Sequence, residues 1–148
     1  MSMMVNDNVY PLGIRYDADG TAWVKAKSNA AITKKTGTAI GMGATGWSAF
    51  TKADVAASGD VACYVGFPEA TLSTNEWGWF QVGGDITDAI IKPCTATAGH
   101  VVEYKDATLI TSGAAKMLDS GFGVFTATGA SGATQDIKLF PKLCFPRT

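Results

Sequence analysis

The chain reads as an all-β protein, a compact sandwich or barrel of short strands, and three observations predict it. Its apolar residues alternate with period two over most segments. The alternating segments are separated by clusters of glycine, serine, threonine and aspartate, and the chain holds 17 glycines in 148 residues. Hydrophobic residues make up 47 % while charged residues reach only 17 %, against about 25 % in ordinary soluble domains. Many short strands at such spacing belong in a sandwich or a barrel. Low charge further suggests that part of the surface is covered by a partner.

Residues 1–10 are expected to form an N-terminal arm, and residues 11–148 one β-rich domain of a length that buries a sizeable core. In the arm, Met3, Met4 and Val5 are candidate contacts on a neighbouring subunit, the alternative being a disordered segment. "GIRYDADGTAWVKAK" reads as a hairpin, with Asp19-Gly20 supplying the positive φ angles of a tight turn. Beyond the turn, Ala22, Val24 and Ala26 share one face and suit a core. Trp23, Lys25 and Lys27 share the other, so Trp23 stands among lysines as an outward contact.

"NAAITKKTGTAIGMG" alternates weakly. Residues 48–57 fit either a short helix or a loop. "DVACYVGFP" is a strand closed by Pro68, "EATLSTNE" a loop, and "WGWFQVGG" the next strand. "DAIIKPC", "HVVEYKDATLI" and "TQDIKLFP" are three more, with turn-like stretches between them. In "WGWFQVGG", Trp77, Trp79 and Gln81 share one face and Gly78, Phe80 and Val82 the other. Both faces are largely apolar. Trp77, Trp79 and Phe80 are therefore expected in a core or a subunit seam, where aromatic area contributes most. Sugar stacking on an exposed tryptophan is a third reading, thinly supported by Gln81 alone.

A search for chemistry comes back empty. His100 has no histidine or cysteine at ligand spacing, and no serine sits in a G-x-S-x-G elbow. No phosphate-binding glycine loop runs into Gly-Lys-Ser/Thr. "DADG" lacks the glutamate of a calcium loop, since Ala26 stands there. Asp85 and Asp88 fit a solvated turn better than an acid/base pair. Cys63, Cys94 and Cys144 are odd in number and off metal spacing, so they read as buried free thiols of a reducing compartment. A net charge of −1 speaks against electrostatic nucleic-acid binding. The N-terminal residues lack a signal-peptide pattern, and no apolar run approaches the ~20 residues of a membrane span. The reading is thus of a non-enzyme without catalytic residues, cofactor or metal, binding neither nucleic acid nor membrane.

In order, the segments resemble a known group. "PLGIRYDADGTAWVKAKSNAAITKKTGTAI", "VACYVGFPEATLSTNEWGWFQVGGDI" and "SGFGVFTATGASGATQDIKLF" are similar to the opening, central and closing patterns of small head decoration, or cement, proteins of tailed bacteriophages. The resemblance runs from about Pro11 to Phe140 and departs at Ile14, where threonine is usual, and in the "GMGATGWSAFTKADVAASG" insertion. It implies a virion protein made in the host cytoplasm and carried on the capsid exterior. Its partners would be the major capsid protein and itself, as a homotrimer. Tail or adaptor β-modules and carbohydrate-binding adhesion modules are the alternatives.

Overall fold

The computed structural model describes residues 13–43, 46–50, 62–105, 108–111 and 121–140. Met3, Met4 and Val5 lie outside them. The strands run β1 (Ile14–Tyr16), β2 (Ala22–Ser28), β3 (Thr38–Gly43), β4 (Gly46–Phe50), β5 (Ala62–Pro68), β6 (Trp77–Ala96), β7 (Val101–Lys105), β8 (Thr108–Thr111), β9 (Gly121–Phe125) and β10 (Gly129–Leu139). All regular structure among the described residues is strand, so the predicted all-β class holds. The helix considered for 48–57 is not there at its start: Ser48 to Phe50 lie in β4, and residues 51–57 fall outside the described set. Antiparallel pairing with β3, Ile40 to Ala49 and Gly41 to Ser48, holds these residues extended.

Five strands close on themselves. β2 pairs with β4, β4 with β3, β3 with β5, β5 with β6, and β6 returns to β2. Closure removes the free edges that an open sheet would leave. β2 and β4 meet in a short parallel contact, Lys27 with Ser48 and Ser28 with Ala49, and the other pairings of the ring are antiparallel. A five-stranded barrel is narrower than the eight-stranded kind whose interior side chains just fill. Its inward positions must therefore be mostly small. Ala22, Val24, Ala26, Ile40, Ala49, Phe80 and Val82 fill it. Facing them are Gly66, whose added Cβ would stand 2.9 Å from the Phe80 Cβ, and Gly78, where it would stand 2.7 Å from Leu72. Leu72 comes from the "EATLSTNE" loop. It exchanges two backbone hydrogen bonds with Ile32, both 2.9 Å, and the two side chains plug one end of the barrel.

β6 carries the chain out of the barrel. The sequence predicts two strands here, "WGWFQVGG" and "DAIIKPC", yet the 20 residues of β6 form one continuous ribbon. The first half belongs to the barrel. The second pairs with β10, from Leu139 opposite Gly84 to Gly129 opposite Ala96. Between the pairs Gly132–Cys94 and Thr134–Ile90, β6 spends more residues than β10. Pro93, which has no N–H to give, sits in that bulge. β9, β7 and β8 complete the second sheet, in the order β6-β10-β9-β7-β8. "HVVEYKDATLI" is the β7–β8 pair rather than one strand. This sheet has its own core, in which Ile86, Ile91, Val102, Phe122, Phe125, Ile137 and Leu139 meet Phe67 from β5.

Candidate functional site

Three of the four tryptophans, all but Trp47, lie on the outer wall of the barrel, on β2 and β6. Burial alternates along β2 with period two, as the sequence pattern predicts: Ala22, Val24, Ala26 and Ser28 point in, and Trp23, Lys25 and Lys27 point out. β2 and β6 pair with Trp23 opposite Gln81, Lys25 opposite Trp79 and Lys27 opposite Trp77. Side chains opposite one another in a ladder share a face. Phe80 is fully buried in the barrel core, whereas Trp77 and Trp79 face outward. Trp77 is 45 % exposed, so the core role considered for it does not hold. Its neighbour Phe80 takes the inward side of the same strand.

Arg15 ties the wall together. It stands opposite Trp23 in the β1–β2 hairpin. Its guanidinium carbon lies 4.9 Å from the Trp23 ring centroid and 4.7 Å from that of Trp79. The Lys25 ammonium approaches Trp79 at 5.8 Å. A cation over an indole face is drawn to its negative quadrupole, and Arg15 lies within reach of two such rings. Arg15 Nε also lies 3.1 Å from Asp17 Oδ1. The ring of Trp77 reaches back across β2, so that a Cβ added to Gly46 on β4 would stand 3.6 Å from its Cη2.

The hairpin loop fixes the other edge of Trp23. The indole N–H donates to Thr21 Oγ1 at 2.9 Å, and the Thr21 hydroxyl donates in turn to Asp19 Oδ1 at 2.6 Å. The Thr21 backbone N–H donates to the same oxygen at 3.0 Å. These bonds, the hydroxyl first, hold the exposed Asp19 carboxyl below its ordinary range. The loop itself differs from the expected tight turn. Only Gly20, with φ of 85°, takes a positive φ, and Asp19 does not. The Gly20 N–H donates to the Asp17 carbonyl and the Asp17 N–H to the Thr21 carbonyl, which makes a three-residue loop with glycine in its last place.

Gln81, which shares this strand face, is buried rather than displayed. Its Nε2 donates at 3.0 Å to the carbonyls of Gly83 and Asp85. It braces β6 where the strand leaves the barrel, at Gly84 with φ of 89°. Its amide is thus spent on the backbone of β6 and is not offered to the solvent beside the tryptophans. Of the groups considered for chemistry, Asp85 and Asp88 are exposed on β6. Asp85 lies 4.0 Å from Lys138, and the Asp88 N–H donates to Asp136 Oδ1. His100 closes a turn, its N–H donating to the Thr97 carbonyl and its carbonyl accepting from Phe125. Cys94 is a free, half-buried thiol against the second core. No cluster of metal-ligating side chains occurs among the described residues.

Arg15 was not singled out from sequence. The signal was available, because a hairpin turning at "DADG" places Arg15 opposite Trp23 by register alone. The meeting of both with Trp79 was not readable, since it depends on β2 pairing with a strand more than fifty residues away.

No family model matches the chain, and no curated protein does. Among solved structures it is similar to the N base of the head fiber gp8.5 of bacteriophage phi29, with a TM-score of 0.52, 10 % identity, and coverage of 84 % of this chain and 98 % of that one. The fold resembles that of a phage head-fiber base. At this identity the likeness is one of fold, and it spans nearly the whole of the neighbour.

Proposed function

We propose that this chain is a non-enzymatic structural protein of a phage virion, which binds the outer face of the capsid and stabilises the shell as a head decoration protein. The observation that carries the reading is the fold likeness to a head-fiber base over 84 % of the chain. Sequence order supports it independently, through the three segments similar to phage decoration proteins. The wall of Trp23 and Trp79 braced by Arg15, with the half-exposed Trp77 beside them, supplies what an adhesive module needs, namely aromatic area on the side of a barrel. In this reading the major capsid protein is the partner and the protein assembles as a trimer. Contacts of about 800 Å² per partner, repeated within the trimer and over a shell, hold by avidity without any single strong bond.

The test is the mass of the purified protein by light scattering, followed by co-sedimentation with expanded, emptied capsids of its phage. A trimer that pellets with shells at a fixed stoichiometry supports the reading. A monomer that stays in the supernatant overturns it. Assembly into rings would point to a tail or adaptor component instead, and quenching of tryptophan emission by glycans to an adhesion module.

A further inference from the structure

We infer that the loop between β2 and β3 is a strap that holds the barrel and the second sheet at one angle, and that Lys35 and Asp136 close it on a single peptide group of β6, the one between Thr87 and Asp88. The inference goes beyond the virion reading and does not depend on it.

The strap is tied to both bodies through its backbone. On the barrel side, the Lys35 N–H donates to the Pro68 carbonyl at 2.9 Å and the Lys34 N–H to Thr71 Oγ1 at 3.1 Å. On the other side, the Ile90 N–H donates to the Lys35 carbonyl at 2.8 Å and the Gly37 N–H to the Ile90 carbonyl at 3.2 Å, so that Thr36 bridges Ile90 in parallel. Ile90 belongs to the half of β6 that pairs with β10. One loop of the barrel therefore grips the second sheet beyond the point where the ladder between β2 and β6 ends.

The closure is at a second bulge of β6. Between the pairs Gln135–Ala89 and Ile137–Ile86, β6 spends Thr87 and Asp88 against Asp136 alone. The Thr87 carbonyl accepts from the Lys35 ammonium at 2.8 Å, and the Asp88 N–H of the same peptide donates to Asp136 Oδ1 at 3.0 Å. This peptide group is thus satisfied at both ends by charged side chains, one from the barrel loop and one from β10, and charge strengthens each bond. Lys35 and Asp88 also take left-handed backbone, with φ of 61° and 54°. They are two of the three non-glycine residues with positive φ among the described residues. Such backbone is unfavourable for a residue with a side chain and persists where the surrounding bonds impose it.

The experiment measures amide hydrogen exchange and residual dipolar couplings of the full chain by NMR. Lys35→Met keeps the aliphatic stem and removes the ammonium. Exchange at Ile90 and Gly37 should quicken about fivefold, while the amides of β3 and β9, one strand in each body, keep the parent rate. The couplings of each body should still fit its own geometry, but one alignment tensor should no longer fit both bodies together. Asp136→Ala removes the other arm and should quicken the same amides. Lys35→Arg keeps a cationic donor and should retain most of the protection. Lys34→Met, one residue away, removes an equal charge, keeps its backbone bond to Thr71 and should match the parent. Unchanged exchange at Ile90 and Gly37 in Lys35→Met, or an equal effect from Lys34→Met, overturns the inference. Equal acceleration at every amide overturns it too, because the loss would then be one of global stability. A single tensor that still fits both bodies in Lys35→Met removes the claim that the strap sets their angle.

Discussion

Gly66 sits on β5 facing the barrel interior, and a methyl group there tests the claim that the barrel is too narrow for one more carbon. A Cβ at this position would clash first with the Ile40 Cδ1, and would meet the Phe80 Cβ at 2.9 Å and the Val82 Cγ1 at 3.4 Å. The first contact is the end of a side chain and can rotate away. The second is a Cβ, fixed to the backbone of β6, so relieving it requires β5 and β6 to move apart. Overpacking of this kind costs about 1–3 kcal/mol. Gly→Ala also restricts the unfolded chain, which offsets about 0.4–1 kcal/mol. Gly66→Ala should therefore lose about 1–2 kcal/mol in urea unfolding, with an unchanged m-value. Ile40→Val removes the nearer clash. Alone it should cost about 0.5–1.5 kcal/mol, and in the Gly66→Ala background it should cost almost nothing or stabilise. The cycle will not close to full rescue, because the Phe80 contact remains. Parent-like stability of Gly66→Ala, or costs that add within about 0.5 kcal/mol, would refute the tight-barrel argument.

Other perturbations separate core from wall. Phe80→Ala should cost about 3–5 kcal/mol by denaturant melt, whereas Trp77→Ala should cost under about 1 kcal/mol, since its ring is near half exposed. Arg15→Ala should lose about 1 kcal/mol from two partly exposed cation–ring contacts, and Arg15→Lys should recover only part of it, because an ammonium lacks the flat guanidinium face. The Asp19 carboxyl, followed by carbon NMR, should titrate below an ordinary aspartate, and Thr21→Val should raise it towards the ordinary value. The sign follows from linkage: a lowered folded-state value stabilises fully above the unfolded value, and that contribution disappears as pH falls through the lowered one. Gly84→Ala should destabilise, because it forces a side chain onto φ of 89° with the Gly20 carbonyl 3.1 Å away.

Local pattern carried much of this fold. Alternation sorted Ala22, Val24 and Ala26 from Trp23, Lys25 and Lys27, because a pleated strand sends neighbours to opposite sides whatever lies around it. The hairpin at "DADG" was legible for the same reason, its bonds closing within five residues. β4 was not legible. Its five residues are extended because β3 and β2 supply partners, and "GWSAF" has no period of its own. β6 reads as two strands because Gly83 and Gly84 look like a break in a sequence, while in space Gln81 braces the backbone that carries the ribbon through them.

The sequence by itself determined that the chain is β-rich, that Phe80 and Trp79 must face opposite ways, and that charge and catalytic groups are scarce. Which of those two faces is inside was decided by tertiary structure. Both are aromatic, so hydrophobicity could not choose between them. The choice falls to space. A closed ring of five strands admits Phe80 only where Gly66 faces it and Gly78 lies beside it on the strand, and the indoles of Trp77 and Trp79 are left outside against Arg15 and the lysines of β2.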